Sequence, residues 1–376
     1  MAMYPKYGRI LSILSLICLI ILLAGCTVEK VRPGEKVSLQ YATGFSIENL
    51  PAGCKKVTDG DGRELLLVPR GKKPPAGYGN LPVFYTPVQK VVVGSTTQAA
   101  LLRPLGVLGT IGGVTTEKKD WYIDEVTKGM EKGRVAFLGK NSAPDYEKIK
   151  ALSPDVVFTY THVMGGTEFA QKLNELGIPY AVDNEWLESH PLGRVEWVKF
   201  LAAFYNKEKE ADDYFRQVVA NVEQVARKVP AGTRPKVLWG SIFKGKVYVP
   251  AGNSYVARMI EMAGGDYVFK DLGGSATGNA NITLEEFYAR GKDADIFIIP
   301  FSPQSTGITS IAKLLEQAPV LADIKPVKEK RIWCVQPWYY QSMDKTDEQI
   351  EDLAAMFYPV SWSGYQPRHF MSLPEK

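Results

Sequence analysis

The sequence predicts an α/β protein with two Rossmann-like lobes, each a mostly parallel sheet covered by helices, joined by one long α-helix and preceded by an N-terminal β-hairpin extension. Three observations support this prediction. Short β-branched runs alternate with longer helical patterns, which is typical of βαβ units. One interval near the middle has the period of a long, one-sided helix. The 376 residues suffice for about two domains.

The composition excludes several classes of function. The 45 Lys+Arg and 41 Asp+Glu residues give a net charge of +4, which is too small to indicate a nucleic-acid partner, because such proteins carry strongly basic patches. Three His and four Cys leave little material for a zinc module or a disulfide scaffold. We expect Cys54 and Cys334 to stay unpaired, since a bridge between opposite halves of the chain would restrict their relative motion.

Residues 1–25 have the pattern of a signal peptide. Two basic residues precede the uncharged run Ile10–Ala24, which as a helix would cover about 22 Å, short of a hydrocarbon core of about 30 Å. The string Leu23-Ala24-Gly25-Cys26 resembles a bacterial lipobox, and this resemblance implies cleavage before Cys26 and lipidation of its thiol. Attached acyl chains would hold the protein on the membrane. A plain signal peptide or an uncleaved anchor are the alternatives.

The region after the lipobox divides into a tether and a hairpin. Residues 26–40 are polar and predict a tether, and the bursts of apolar residues over 41–70 surround the turn Asp59-Gly60-Asp61-Gly62, which predicts an antiparallel hairpin. The proline-rich stretch Lys72–Pro87 is interpreted as an irregular connection. The predicted domains are the N-terminal lobe over 41–205, the interlobe helix over 206–229 and the C-terminal lobe over 230–376.

Each lobe has its own series of predicted strands, separated by helical patterns. In the N-terminal lobe these are Lys90–Gly94, Val107–Ile111, Arg134–Leu138, Asp155–Tyr160 and Tyr180–Asp183. In the C-terminal lobe they are Lys236–Ser241, Asp295–Pro300 and Arg331–Gln336. Two sheets, one for each lobe, account for these strands better than one large sheet.

The interval between the two series predicts the long helix. It begins with Asn206 as the N-cap and extends to Val229, before Pro230-Ala231-Gly232. Its apolar residues recur at helical spacing on one face, and polar residues fill the other. The helix would be about 36 Å long, enough to lie along both lobes as a stiff spine. Packing against a single lobe is the alternative.

Six local strings occur in the order typical of one transport family. They are Val91–Ala100 with Leu105-Gly106, Tyr146–Val157, Trp186–Phe200, Gly252–Tyr255, Ala263–Gly265 and Asp293–Ile296. With the lipobox, the two lobes and the helical spine, the chain resembles the substrate-binding proteins of ABC importers for iron-siderophores, haem and cobalamin. The resemblance implies an extracytoplasmic protein that captures such a ligand between its lobes and delivers it to a membrane permease.

The resemblance also implies the partners. They are an ABC permease dimer with its ATPase, the small-molecule ligand, and the cell membrane through the lipid anchor; the binding protein itself would be a monomer. No resident cofactor or metal is expected, because a metal chelate or corrinoid would be the ligand. No phosphate loop, G-x-S-x-G or H-E-x-x-H motif occurs, so we do not expect an enzyme. A free-metal-ion transport protein and an exported, lipid-anchored hydrolase are the alternatives.

Acidic residues early in one helix of each lobe are candidates for permease docking. In the family, one glutamate in each lobe meets an arginine of the permease, and the corresponding residues here are Glu147 and Glu285, with Glu286 as the alternate. Rigidly held carboxylates can form charge-assisted pairs with guanidinium groups. The alternative is that each is a solvated acid favoured by the helix dipole.

The ligand should lie where the carboxyl ends of the strands face each other across the hinge. The loops predicted there are rich in aromatic residues, which suit a macrocycle or catechol rings, and in cations, which suit an anionic chelate. The candidates are Tyr160, His162, Trp186, Arg194, Lys244, Tyr255, Trp338 and Tyr339. For each aromatic residue the alternative is packing in the core, and for His162 it is an ordinary loop histidine.

Overall fold

The structure, a computed structural model, describes residues 34–163, 165–243 and 245–376. The predicted signal peptide and the lipidation site Cys26 lie outside the described residues, as does Lys244. Within the described ranges, no helix is both long enough and apolar enough to cross a membrane.

A four-stranded sheet precedes the first lobe. Its strands are β1 (Ser46–Asn49), β2 (Lys55–Thr58), β3 (Glu64–Pro69) and β4 (Val83–Thr86), in that order. β2 and β3 form the predicted antiparallel hairpin. The sequence missed β4, which lies within the proline-rich stretch and pairs in parallel with β3. Packing explains this strand, because the Phe84 ring lies 5.5 Å from that of Phe204 in the lobe.

The last part of the predicted tether belongs to the same sheet. The backbone N–H of Val37 donates to the Ile47 carbonyl at 2.8 Å, and that of Asn49 donates to the Glu35 carbonyl at 3.0 Å. Paired backbone groups restrict a segment, so the chain is attached to the fold from residue 34 onward.

The N-terminal lobe is a parallel sheet covered by helices. In chain order its elements are β5 (Val91–Val93), α1 (Thr96–Leu102), β6 (Ile111–Val114), α2 (Asp124–Glu131), β7 (Ala136–Phe137), β8 (Gly139–Lys140), β9 (Ala143–Pro144), α3 (Tyr146–Leu152), β10 (Val156–Thr159), α4 (Gly166–Glu175), β11 (Tyr180–Val182), α5 (Pro191–Glu196) and α6 (Val198–Tyr205). The main sheet has the order β11-β10-β5-β6-β7, and all its pairs are parallel. β8 and β9 form a separate small hairpin.

The second predicted strand of this lobe was placed too early. Leu108–Thr110 form a 3-10 turn, and β6 begins only at Ile111. The strand contains two glycines, which weaken its sequence pattern. A Cβ on Gly113 would lie 2.3 Å from the Leu138 side chain, so close packing requires a glycine there.

The C-terminal lobe repeats this architecture. Its elements are β12 (Lys236–Trp239), β13 (Ser241–Phe243), β14 (Lys246–Pro250), α8 (Tyr255–Met262), β15 (Asp266–Tyr267), β16 (Asn279–Ile282), α9 (Leu284–Gly291), β17 (Ile296–Ile299), α10 (Pro303–Thr306), α11 (Ile311–Gln317), α12 (Lys325–Lys328), β18 (Ile332–Val335), α13 (Thr346–Phe357) and β19 (Phe370–Ser372). The main sheet has the order β15-β12-β17-β18-β19 and is parallel except for β19. β13, β14 and β16 form a separate antiparallel sheet.

The long helix α7 (Glu208–Lys228) joins the two lobes. Near its start, Asp212 pairs with Lys199 of α6 at 3.2 Å. Further along, Asn221 donates to Asp347 of α13 at 2.6 Å. The helix therefore contacts both lobes, and the predicted fold class, two parallel-sheet lobes with a helical spine and a hairpin extension, is confirmed.

Asn206 is not the N-cap of this helix, contrary to the prediction. It ends α6 in the left-handed conformation, at φ 55°, which asparagine tolerates better than most residues. Its side-chain oxygen accepts a hydrogen bond from Lys55 at 2.9 Å. The N-cap position of α7 is Lys207. An asparagine between two helical patterns is compatible with either role, so the sequence alone did not distinguish them.

Candidate ligand-binding cleft

A cleft of about 1180 Å³ lies between the two lobes. The N-terminal lobe lines it with residues that follow β5, β10 and β11, and the C-terminal lobe with residues that follow β12 and β17. This is the crevice at the carboxyl ends of the strands where ligands of parallel α/β sheets bind. Typical small-molecule pockets measure about 300–1,000 Å³, so the cleft suits a bulky ligand.

We call the lining residues Asp183, Glu185, Trp186, Arg194 and Tyr339 the floor of the cleft, and Arg194 is its positively charged member. It lies on α5 and is only 6 % exposed. Its Nε donates to Glu185 Oε2 at 2.6 Å, and its guanidinium carbon lies 3.8 Å from the centroid of the Tyr255 ring. The charge of Arg194 is therefore compensated by a buried carboxylate, and one face of its guanidinium is covered by an aromatic ring.

Asp183 adds a second buried acid to the floor. It directly follows β11 and is 1 % exposed. Burial raises the pKa of its carboxyl well above the ordinary value, and the nearby Glu185 charge raises this pKa further, against the opposing effect of Arg194. One oxygen, Oδ1, accepts the Glu185 backbone N–H at 3.1 Å.

Three polar atoms of the floor are buried without a hydrogen-bond partner among the described residues. They are Asp183 Oδ2, Trp186 Nε1 and the Tyr339 hydroxyl oxygen, and all three residues line the cleft. Buried polar groups in native proteins are nearly always paired. These atoms are therefore candidates for direct contact with a ligand.

Hydroxyl groups at the start of α1 form part of the N-terminal wall. Ser95 is the N-cap of this helix, and Gln98 completes a capping box with it. The Gln98 carbonyl oxygen also accepts the Gly94 backbone N–H at 3.0 Å, while its amide donates to the Thr159 carbonyl at 3.1 Å. These bonds join the ends of β5 and β10, and so hold this wall of the cleft in place.

The C-terminal lobe supplies a largely aromatic wall. Its lining includes Tyr248, Phe297, Phe301 and Tyr340. Tyr340 and Phe301 are 38 % and 42 % exposed, and the Tyr340 hydroxyl donates to the Pro300 carbonyl at 3.2 Å. Aromatic faces of this kind suit a flat or ring-containing ligand.

Five of the eight predicted ligand-binding residues line the cleft. They are Tyr160, Trp186, Arg194, Tyr255 and Tyr339. The structure brings three residues of the N-terminal lobe and two of the C-terminal lobe to one cleft, although they span 180 positions of the sequence. Whether each contacts a ligand stays a prediction.

The other three candidates lie elsewhere. In the described part of the chain, His162 and Trp338 do not belong to the cleft lining. His162 lies beside the hairpin turn, with Nε2 3.6 Å from Asp61 Oδ1. Trp338 lies next to Tyr122 of the other lobe, with 6.2 Å between the ring centroids. Lys244 falls outside the described residues.

The hairpin turn supports two loops of the cleft. Asp61 Oδ1 accepts hydrogen bonds from the Thr161 hydroxyl at 2.5 Å and from the Asn184 amide at 3.2 Å. Thr161 follows β10, and Asn184 follows β11. The N-terminal extension, for which no role was predicted, therefore holds the loops that carry Tyr160 and Asp183.

Sequence reasoning missed several lining residues. Asp183, Glu185 and Tyr340 lie inside loops that were predicted to line the cleft, but they were not selected. The segments 94–98 and 299–306 were missed entirely. The rule that ligands bind at the carboxyl ends of strands would have found both, because they directly follow β5 and overlap the end of β17.

The docking candidates occupy matching positions in the two lobes. Glu147 is the second residue of α3, after the capping residue Asp145, and Glu285 is the second residue of α9, after the capping residue Thr283. Both are exposed, and no ion pair joins either to another described residue. Glu286 is less exposed and lies 3.7 Å from Arg290.

Among the residues that the structure describes, no group of three or more His, Cys, Asp or Glu side chains is arranged to hold a metal ion. Cys54 and Cys334 are both free and buried. Burial raises the pKa of the Cys334 thiol to about 12.

A family model for periplasmic binding proteins matches residues 91–337. The chain belongs to the periplasmic binding protein family. This assignment confirms the resemblance that the sequence motifs indicated. The family consists of extracytoplasmic binding proteins.

Two relatives come from Methanocaldococcus jannaschii. One, an uncharacterised lipoprotein, is 38 % identical over 330 residues, which are 84 % of this chain and 78 % of the relative. Another uncharacterised lipoprotein is 28 % identical over 338 residues, covering 87 % of this chain and 84 % of the relative.

Solved structures share the fold at low identity. A periplasmic haem-binding protein from Roseiflexus sp. RS-1 in apo form has a TM-score of 0.59 at 20 % identity, covering 73 % of this chain and 99 % of its own. A molybdate-bound periplasmic binding protein from Haemophilus influenzae has a TM-score of 0.61 at 16 %, covering 82 % and 92 %. A periplasmic vitamin B12-binding protein from Vibrio cholerae has 0.53 at 13 %, covering 74 % and 99 %.

Proposed function

We propose that this protein is the solute-binding component of an ABC importer, which captures a small molecule between its lobes and delivers it to a membrane permease. The observation that supports this most strongly is the cleft of about 1180 Å³ between two lobes joined by a single spine, in a chain of the periplasmic binding protein family. Modest bending about the spine would close the lobes over the ligand.

The proposed ligand is an iron-siderophore, haem or cobalamin-type molecule, a metal chelate or corrinoid that is transported and is not a resident cofactor. The volume of the cleft and its aromatic wall support a bulky, ring-containing ligand. The haem-binding and vitamin B12-binding proteins that share the fold support the same choice of classes.

We propose that the ligand is bound without chemical conversion. In the described part of the cleft lining there is no histidine to act as a general base beside the serine and threonine hydroxyls. Two of the three charged groups of the floor, Arg194 and Glu185, are bonded to each other at 2.6 Å.

For docking, we propose that Glu147 and Glu285 each meet an arginine of one subunit of the permease dimer, while the binding protein acts as a monomer. Helices of parallel α/β units begin at the edge where the strands end, so α3 and α9 present both acids on the side of the cleft mouth. The free carboxylates of Glu147 and Glu285 favour them over Glu286, which has Arg290 nearby.

For localisation, we propose that the protein is anchored to the outer face of the cell membrane by lipid on Cys26, after removal of residues 1–25. The two relatives named as lipoproteins support this proposal. Replacing Cys26 by serine should release the protein from the membrane fraction.

Mass spectrometry of small molecules that co-purify with the protein tests the function directly, and quenching of the fluorescence of the seven Trp residues by siderophores, haem, cobalamin and free metal ions tests the class. Binding of a free metal ion without binding of any chelate would favour a metal-ion transport protein. Turnover of ester or phosphate substrates would favour a hydrolase.

The docking proposal has its own experiment. Charge reversal of both acids, Glu147→Arg with Glu285→Arg, should abolish transport in cells while leaving ligand affinity unchanged. Glu286→Arg is the matched control and should retain transport. Reduced affinity in the double variant would place the acids in the cleft, and retained transport would contradict the docking role.

A further inference from the structure

The floor of the cleft contains one cation and two acids. Among the lining residues that the structure describes, Arg194 is the only cation, and its Nε is bonded to Glu185 at 2.6 Å. Asp183 is a second acid beside this pair. An anionic ligand needs uncompensated donors such as a free guanidinium, so the described lining does not meet the expectation of cations for an anionic chelate.

The unpartnered atoms of the floor include both donors and acceptors. Trp186 Nε1 can only donate, whereas the Tyr339 hydroxyl can donate or accept. Asp183 Oδ2 accepts when the carboxyl is ionised and can donate when it is protonated. Asp183 and Tyr339 are 1 % and 3 % exposed, so each unpartnered atom is buried in a side chain that lines the cleft.

We propose that this floor binds an uncharged polar group that carries both a donor and an acceptor, as a carboxamide does, and that the cleft therefore selects uncharged chelates or macrocycles over anionic ones. This inference rests on the proposed function and names the substrate class of the same cleft. Its functional residues would be Asp183, Trp186 and Tyr339.

Other polar groups fit the floor less well. A ligand carboxylate could accept from Trp186 but has no hydrogen to donate to Asp183, and the guanidinium of Arg194 is already paired with Glu185. A ligand ammonium group could donate to Asp183 but has no acceptor for Trp186, which would stay unpaired. The carbonyl of a carboxamide can accept from Trp186 while its N–H donates to Asp183, and neither contact brings an extra charge into a buried site.

Two pairs of probes test the proposed selectivity by fluorescence titration, the first sharing one macrocycle and the second differing in chelating groups as well as in charge. Dicyanocobinamide carries carboxamides around its macrocycle, and dicyanocobyrinic acid carries carboxylates at those positions. Ferrichrome is an uncharged ferric chelate, and ferric enterobactin is an anionic one. We expect the uncharged member of at least one pair to bind roughly tenfold or more tightly than its anionic partner.

The outcomes separate this inference from the proposed function. If an anionic member binds as tightly as its uncharged partner, or more tightly, the inference is wrong and the proposed function stands. If neither pair binds, the inference is judged by the net charge of the small molecule that co-purifies with the protein. An uncharged molecule supports the inference, and an anionic molecule overturns it. If no probe binds and no small molecule co-purifies, the proposed function itself fails.

Two tyrosines, one in the cleft and one outside it, provide a matched pair of variants. Tyr339→Phe removes an unpartnered hydroxyl and should weaken binding of the uncharged probe by roughly tenfold. Tyr358→Phe removes a hydroxyl that donates to the Gly264 carbonyl at 2.9 Å, away from the described cleft lining, and should change affinity by less than about twofold. Trp186→Phe should weaken binding as Tyr339→Phe does. If all three variants bind the uncharged probe with the same affinity and keep the melting temperature of the wild type, the inference is wrong.

Discussion

Asp155 and Asp295 occupy matching places in the two lobes, directly before the interior strands β10 and β17. Asp155 Oδ2 accepts the Lys90 backbone N–H at 3.1 Å, and Asp295 Oδ2 accepts that of Lys236 at 2.7 Å. In both lobes the acid thus fixes the start of a neighbouring strand. The paired cations are Arg70 for Asp155 and Lys325 for Asp295.

The same two lobes differ where they face the ligand. The N-terminal lobe contributes the charged residues of the described lining, Asp183, Glu185 and Arg194, whereas the C-terminal lobe contributes mainly aromatic side chains. The structural acids are therefore common to both halves, while the charged residues of the described cleft lining are concentrated in one. The residues that hold the strands and the residues that line the cleft are thus different parts of the same fold.

The lobes also attach their terminal segments with buried acids. Glu196 on α5 accepts the backbone N–H groups of residues 40–42 at 2.8–3.0 Å. Asp352 on α13 accepts the Tyr365 hydroxyl at 2.7 Å and the backbone N–H groups of residues 368–369 at 2.7–2.9 Å. The first acid has Lys199 beside it at 3.0 Å, while burial raises the pKa of Asp352 to about 6.

Removal of the N-terminal attachment should have the largest effect on stability. Glu196→Ala leaves three backbone donors without their acceptor and removes one of the two carboxylates that pair with Lys199, and should lower the free energy of unfolding by about 3–5 kcal/mol. Urea denaturation measures this. Glu223→Ala, at an exposed position of α7, is the control and should stay within about 0.5 kcal/mol. A loss below about 1 kcal/mol for Glu196→Ala would show that the first strands hold without it.

The contact between the lobes should respond to pH. Asp344 Oδ2 lies 3.2 Å from Arg103 Nε of the other lobe, yet burial raises the pKa of Asp344 to about 6, against the effects of Arg103 and Lys345. The unfolded chain releases this proton near pH 4. The protonated carboxyl of Asp344 therefore contributes fully to the stability of the folded state below about pH 4. This contribution is lost as the pH rises to about 6.

Asp344→Asn removes this titration, so its stability should fall less than that of the wild type between pH 4 and 6. The difference between the two profiles should be about 1–3 kcal/mol, measured by urea denaturation at each pH. Asp323→Asn, at an exposed site, should reproduce the wild-type profile. Parallel profiles for Asp344→Asn and the wild type would mean that Asp344 is ionised throughout this range.

A smaller and equal effect is expected for the two matching aspartates. Asp155→Ala and Asp295→Ala each remove an acceptor for backbone N–H groups and one ion pair, and each should cost about 1–2 kcal/mol. Thermal and urea unfolding measure both. Asp124→Ala, whose exposed carboxylate pairs only with Lys128, should change stability by less than about 0.5 kcal/mol. If only one aspartate matters, the two lobes are not equivalent.

The parts of the fold that follow a local period could be predicted from the sequence. The apolar stripe of α7 and the runs that became β10 and β17 gave the correct elements to within a few residues, because burial of one face repeats along the chain. β4 could not be predicted, because it lies in a proline-rich stretch that lacks the usual sequence pattern of a strand. Its packing on Phe204 explains why a strand forms there. The role of Asn206 was ambiguous, because asparagine is favoured both at the N-cap of a helix and just after the last residue of a helix.

The position of the cleft could be predicted from the sequence, but the contacts among the residues in and around it could not. Aromatic loop residues such as Trp186 and Tyr339 stood out in the sequence. Asp183 did not, because a carboxyl buried at the end of a strand contradicts the usual preference of acids for the surface. The support that Asp61 gives to Thr161 joins positions 100 residues apart, and no local pattern records such a contact.

The smallest change in stability is expected for the candidate docking acids, which are exposed and have no ion-pair partner among the described residues. Glu147→Arg and Glu285→Arg each replace a favourable charge near a helix N-terminus and should cost about 0.5 kcal/mol. Urea denaturation of each variant measures this against Glu286→Arg, which also places like charges near Arg290 and should cost slightly more. A loss above about 2 kcal/mol at Glu147 or Glu285 would mean that the carboxylate serves the fold, and a defect in transport could then no longer be assigned to docking.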